Sequence, residues 1–537
     1  MTTTGSSSPE TTDPAGGTYI PGPPVLSGWE PTAWPAAARE PLVGTVSVAA
    51  GRPLAAIAIA IGASFQLLFV GEALGINAVL WTALLLASAA AVRRRGSPFD
   101  RADAWLPVAA SVAAVLLAVR ADSALVAFDA CAMVVLTGGA VASLAGIGVT
   151  RRSAGGLMAL LVRGGVVATT GATGLGQTFQ STAAGLGSRP GSRAVALGIG
   201  LLIALPIVGV FALLFASADA VFAKALTDAL TWHLDLGNLP LRLGLTGVAT
   251  WVAAGMLLLI VVPGSRIQRD EPFVPPARLG SLEATTVLVA IDLIFAVFVG
   301  LQAEYLFGGR DTIAAAGVTY SDYARGGFFE LVIAAALVGG LICVIETVIR
   351  ARSRTYRGAM LVLVGLTAVV LVSAALRLEL YQQAYGWTEL RFYVITAIAW
   401  LGLCLCAAAF TVLSGRSRWL PHAAMGLGLV VALAANVVGP QAFVARENVA
   451  RALDPSLIAA GGRAGFDAAY LAALGDGAIP VLVDALPRLP PADRAIVGRA
   501  LAERRSELEQ EAATEGWPSW NLAREEARSR LQGVQLP

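Results

Sequence analysis

Residues 282–303 read LEATTVLVAIDLIFAVFVGLQA, an apolar run with Glu283 near its start and one further charge, Asp292, near its middle. A helix needs about twenty apolar residues to cross a hydrocarbon core of roughly 30 Å at about 1.5 Å per residue. Ten more such runs lie at about 53–70, 76–92, 105–120, 123–149, 194–216, 239–262, 327–349, 358–379, 390–413 and 420–438. The 537 residues are 56% hydrophobic and 14% charged, and the mean hydropathy is +0.71. A soluble domain carries about a quarter charged residues. The pattern predicts an all-α integral membrane protein of about eleven transmembrane helices.

The flanks differ from this central block, 49–440. Residues 1–48 hold Thr, Ser, Gly and eight prolines, without the basic start and apolar core of a signal peptide, and read as a disordered tail. Residues 441–537 carry 11 arginines against 13 acids and predict a small soluble helical C-terminal domain, with helices at about 441–453, 466–474, 477–486, 491–512 and 521–532. The glycine-rich stretch 155–186, interrupted by Arg163, reads as interfacial or re-entrant. With the N-terminus in the cytoplasm, the inner loops collect 18 arginines and the outer loops four basic residues, Arg120, Lys224, Arg310 and Arg325. This bias places the C-terminal segment outside the cytoplasm.

Several function classes fall away on composition. A formal charge of +2, from 38 basic and 36 acidic residues, leaves no basic excess for a phosphate backbone, so no nucleic-acid partner is expected. Cys131, Cys343, Cys404 and Cys406 all lie inside apolar runs and read as free thiols. Only His233 and His422 could supply imidazole, and no H-E-x-x-H occurs, so neither a metal nor a cofactor is expected. No Ser-His-Asp set or nucleotide fingerprint appears, and the chain reads as more plausibly not an enzyme.

Ionisable groups inside a span are costly unless paired or wetted, which makes each a candidate. Asp292 is the clearest, as a proton or ion site or as a hydrogen-bonded helix fastener. Asp129 and Glu346 lie nearer span ends and rank lower. On the topology above, Glu304, Glu330, Arg377, Glu379, Glu389 and Arg391 gather near the outer ends of four helices. They read either as an interhelical salt-bridge network or as the lining of an outward-facing polar cavity. Arg377 and Tyr381 are i,i+4 neighbours on one helix face, while Glu379 points elsewhere. Asp219, in Ser217-Ala218-Asp219, is a further candidate for this site or an exposed helix-terminal acid. The loop from Tyr320 to Gly327 contains Asp322, placed to cap the next helix, and Arg325.

Several ungapped runs carry a resemblance. They are Leu214 to Phe222, Tyr323 to Leu331, Arg377-Leu378-Glu379-Leu380-Tyr381 with Tyr385 to Arg391, Asn448 to Arg451, Asp467, Tyr470-Leu471 and Trp517-Pro518-Ser519-Trp520-Asn521. Together they resemble a bacterial polytopic membrane family known as the domain of unknown function numbered four-one-seven-three, with a close relative numbered four-one-five-three. The resemblance runs from about residue 50 to about 532 and implies a multi-pass fold in a bacterial cytoplasmic membrane. It implies no catalytic residues.

The charged residues suggest translocation or sensing of a small solute or ion through an outward-facing polar site, and the resemblance implies no established activity. In that role Asp292 would be the mid-membrane coupling carboxylate. Glu304, Glu330, Glu379 and Glu389 would be cation or proton ligands, with Arg377 and Arg391 as counter-charges or anion contacts. The alternative is an envelope scaffold or signalling component that recruits a protein partner through its C-terminal domain. A membrane-embedded enzyme acting on lipid-linked substrates ranks third.

Overall fold

The computed structural model describes residues 48–93, 99–152, 154–170, 239–261, 279–307, 328–416, 419–458 and 467–536. The membrane part contains α1 (Val48–Phe69), α2 (Ile76–Val92), α3 (Trp105–Val119), α4 (Ser123–Leu144), α5 (Ala154–Thr170) and α6 (Leu239–Val261). It continues with α7 (Ser281–Phe307), α8 (Phe328–Val348), α9 (Arg354–Tyr385), α10 (Glu389–Leu413) and α11 (Leu420–Val438). Among the described residues nine helices are long and apolar enough to cross a membrane. The protein is an all-α membrane protein. These nine coincide with nine of the eleven expected spans, while the run at 76–92 forms the shorter α2 of 17 residues. The expected span at 194–216 lies outside the described residues, as does the tail before residue 48. Within 155–186 the described part is α5, a helix packed on α6.

Local chemistry starts and stops these helices. Asp122, Ser353 and Thr388 each accept a backbone N–H from the first turn of α4, α9 and α10, filling donors a helix N-terminus leaves open. α9 has 32 residues, roughly 48 Å at about 1.5 Å each, so it projects beyond a core of roughly 30 Å. It runs six residues past the sequence expectation of 379 because Arg377 to Gln383, polar but strongly helix-forming, continue it into the aqueous layer. Gly386, at φ +79°, ends it in a conformation that favours glycine.

Three apolar clusters hold the described membrane helices. α2 to α6 share one that includes Ala78, Ala110 and Ala114, and α1, α2 and α6 share a second that includes Ile61 and Leu258. α7 to α10 share another, centred on Leu288, Ile342, Met360 and Leu363, which also takes in Leu420 of α11. Leu293, Ile294, Val297, Leu337, Phe410 and Val437 are exposed. Exposed apolar residues in such numbers suit a lipid surround.

The C-terminal segment follows Gly439 and Pro440 as α12 (Pro440–Leu453), α13 (Ala468–Ala472), α14 (Ile479–Ala485), α15 (Pro491–Thr514) and α16 (Leu522–Gln532). Its core is continuous with the membrane part, because Leu125 of α4, Phe392 of α10 and Ala435 of α11 belong to the same buried cluster as Val444, Leu482 and Leu501. A second seam joins it to α1 and α2. Glu72 accepts the Gly516 N–H, and the Ile76 N–H donates to the Trp520 carbonyl at 2.9 Å. Gly75 is required at this seam because a Cβ there would strike the Ser519 and Trp520 backbone. Asn521 donates to the Leu117 and Arg120 carbonyls, closing the end of α3.

Candidate functional site

The turn between α9 and α10, Gly386-Trp387-Thr388, is held from above by α12. The Trp387 N–H donates to Asn448 Oδ1 at 2.9 Å, and Asn448 Nδ2 donates back to the Trp387 carbonyl at 2.8 Å. Arg451 donates to the Gln383 and Gln382 carbonyls at 2.9 and 3.3 Å, satisfying acceptors at the end of α9. Burial, with Arg391 nearby, pushes the Arg451 guanidinium below its usual range. Arg391 turns back, donates to the Gly386 carbonyl, and lies 4.0 Å from the centre of the Tyr381 ring. Tyr381 therefore meets Arg391 across the turn, and its ring also packs edge-on against Tyr385.

Below this turn acidic groups collect. The Glu389 N–H donates to Tyr470 Oη at 2.9 Å, and the Glu389 carboxyl lies within electrostatic range of Asp122, with the Gln441 side chain beside it. Burial pushes the Tyr470 hydroxyl above its usual range. Asp122 is 3% exposed, and its Oδ1 accepts both the Leu125 N–H and the Tyr393 hydroxyl. Asp129 lies two turns further along α4, 2% exposed, and accepts from Asn436 Nδ2 of α11 at 3.3 Å. Asp122 Oδ2, Asp129 Oδ2 and Asn436 Oδ1 are buried with no protein donor. Gln441 also accepts the Gly477 N–H at 3.0 Å, tying the cluster to the C-terminal segment.

The other sequence candidates are dispersed. Asp292 is buried on α7, which packs chiefly against α9, and its Oδ1 has no protein donor. Glu330 and Glu379 are exposed, and Glu379 accepts from Gln383 at 3.3 Å. Arg377 is half-buried. Glu304 belongs to the last turns of α7. Asp219, Asp322 and Arg325 lie outside the described residues. Among the candidates with described side chains, the structure brings together Tyr381, Glu389 and Arg391, and places Asp292 and Glu330 on the separate helices α7 and α8. Glu346 is buried near the opposite end of α9, where it accepts the Tyr356 hydroxyl at 2.8 Å and pairs with Arg352 at 2.8 Å. A cavity of about 270 Å³ between α8, α10 and α11 is apolar, lined by Gly340, Cys343, Trp400 and Cys404 among others. None of the sequence candidates lines it. Among the described residues all four cysteines are free, and no group of three His, Cys, Asp or Glu could hold a metal ion.

Sequence reasoning missed Asp122, Tyr393, Asn436 and Gln441. Asp122 sits between two apolar runs, where it caps α4, and the other three carry no charge to draw attention.

The model of a family described as a domain of unknown function, DUF4153, matches residues 54–485. The chain belongs to the DUF4153 family. The resemblance gave first place to the family numbered four-one-seven-three and second to this one, and the match corrects that order. The DUF4153 match takes in α2 to α14, the whole junction around Glu389 and most of α1, and stops short of Trp517 to Asn521. No curated protein and no solved structure matches the chain.

Proposed function

We propose that this DUF4153 protein senses or translocates a small ion or solute at the junction between its membrane helices and its C-terminal segment. The observation that carries the reading is the buried polar cluster around Glu389, an acceptor-rich site roofed by α12 and α13 and continued toward the bilayer by Asp129. Arg391 and Tyr381 fix the turn that presents Glu389. Asp292 is a separate mid-membrane carboxylate for coupling. The arginine bias of the loops supports a cytoplasmic N-terminus and a C-terminal segment on the opposite side of a bacterial cytoplasmic membrane.

The test is flux into proteoliposomes of the full chain under proton and monovalent-cation gradients, with Glu389→Gln and Arg391→Gln alongside. Flux above that of empty vesicles, lowered in both variants, supports the proposal. Flux equal to empty vesicles under every gradient, together with no ligand-dependent change in the C-terminal segment, would sink it.

A second reading, recruitment of an envelope protein, is favoured by Trp517 and Trp520. They are 70% and 44% exposed beside a cavity of about 220 Å³ that Arg524 and Arg528 also line. A partner crosslinked to wild type and lost in Trp517→Ala would support it. An unchanged set of crosslinks would remove it.

A further inference from the structure

We propose that Asp122, Glu389 and Asp129 form a proton-binding site, entered from beneath the C-terminal segment and leading along α4 toward the bilayer interior. The inference deepens the reading of the junction as an ion site by naming the ion, and it rests on that reading for the consequence of binding.

The first ground is an excess of acceptors. Asp122 Oδ1 is filled by the Leu125 N–H and the Tyr393 hydroxyl, while Oδ2 has no protein donor. Glu389 is nevertheless within electrostatic range of Asp122, one turn before Tyr393 on the same face of α10. An ionised carboxylate only accepts and two ionised carboxylates repel, so a proton held by the pair is what lets them lie near one another. Asp129 and Asn436 repeat the pattern deeper in the helices, since each keeps a buried oxygen without a donor although Asn436 donates to Asp129. Asp122, Asp129 and Asn436 are 3%, 2% and 1% exposed, and a buried acceptor left unfilled is destabilising.

The second ground is spacing. Asp122 and Asp129 are seven residues apart, which puts them on one face of α4 at roughly 10 Å along its axis. Tyr393 on α10 donates to Asp122 and is within electrostatic range of Glu389 and Asp129. Its hydroxyl can accept as well as donate, as a relay between acids requires. Groups strung out in this way suit a proton better than a metal ion, which draws its ligands to one point, and no three acids here are arranged to do so.

The basic neighbours are engaged elsewhere. Arg391 holds the Gly386 carbonyl and the Tyr381 face, Arg120 donates to the Val437 carbonyl, and Arg451 caps α9. Gln441 and Tyr470 complete the surround from α12 and α13. When the bound proton leaves to water, the Glu389–Asp122 pair carries two negative charges at close range. Repulsion then separates the start of α10 from the start of α4 and loosens Gln441, which holds Gly477.

The experiment is infrared titration of the full chain in nanodiscs of phosphatidylethanolamine and phosphatidylglycerol. A protonated-carboxyl C=O band that disappears as pH rises is expected in wild type. That component should be lost in Glu389→Gln and altered in Tyr393→Phe, and a second should be lost in Asp129→Asn. Asn and Gln keep the shape of the replaced acids, and circular dichroism checks that each variant is folded. Identical spectra in wild type and both acid variants would overturn the site. Proton flux into proteoliposomes separates the two claims. Titrating bands without flux leave the site standing and retire translocation, whereas flux without the bands retires the site.

Discussion

An acid lies near each end of α9, and the two are treated oppositely. Near its start Glu346 receives the Tyr356 hydroxyl on Oε1 and two guanidinium nitrogens of Arg352 on Oε2, at 2.8 to 2.9 Å. Beyond its end Glu389 lies within electrostatic range of another acid, Asp122, and one oxygen each of Asp122, Asp129 and Asn436 lacks a protein donor. A buried charge with all its partners is part of the framework. A buried acceptor set without enough donors is destabilising unless a cation completes it, so it persists for what it binds. Burial alone does not separate the two cases, since Glu346 and Asp129 are 6% and 2% exposed. The count of donors does.

The contrast breaks most visibly at Arg352. Arg352→Met leaves Glu346 buried with only Tyr356 for company, and unfolding in micelles should show a loss of about 3 kcal/mol, at the low end for a broken buried pair because Arg352 is partly exposed. Wild-type stability in that variant would mean that Glu346 is not held as the structure has it.

Asn448 should come next. Asn448→Ala strips both partners from the Trp387 backbone, an expected loss of about 2 kcal/mol, with faster proteolysis between α12 and α13. A loss of stability without faster cleavage would detach this clamp from the hold on the C-terminal segment.

At Asp129 the effect should be smallest and reversed in sign. Asp129→Asn removes an incompletely satisfied buried acid and keeps its shape, so stability should hold or rise by about 1 kcal/mol. A fall comparable to that of Arg352→Met would place Asp129 with Glu346 in the framework.

Much of the fold was legible because its signals are local. Apolar runs of about twenty residues locate helices without knowledge of their neighbours, and α2, α10 and α11 begin and end within a residue of their expected bounds. The end of α9 was misplaced because hydropathy marks where the bilayer stops and helix propensity continues past it. The site was legible only in part. Charge and the i,i+4 rule singled out Glu389, Arg391 and Tyr381, but the contact of Tyr381 with Arg391 reaches across a turn, where periodicity says nothing. Asp122 comes within electrostatic range of Glu389 from 267 positions away in the chain, and Gln441 and Asn436 enter through tertiary packing alone. Asp292 drew attention by its depth, a property that does not reveal which acids share a site.

The most direct test is amide hydrogen exchange at two pH values, corrected for intrinsic rates, on the full chain in nanodiscs. Protection over 386–393 and 468–478 should fall as pH rises, the direction expected when the native junction binds a proton that the opened one releases. In Glu389→Gln that dependence should vanish, while protection over 346–356 should ignore pH in both proteins. An equal response at the two ends of α9, or a junction response that survives in Glu389→Gln, would contradict the assignment of the ion site to the Glu389 cluster.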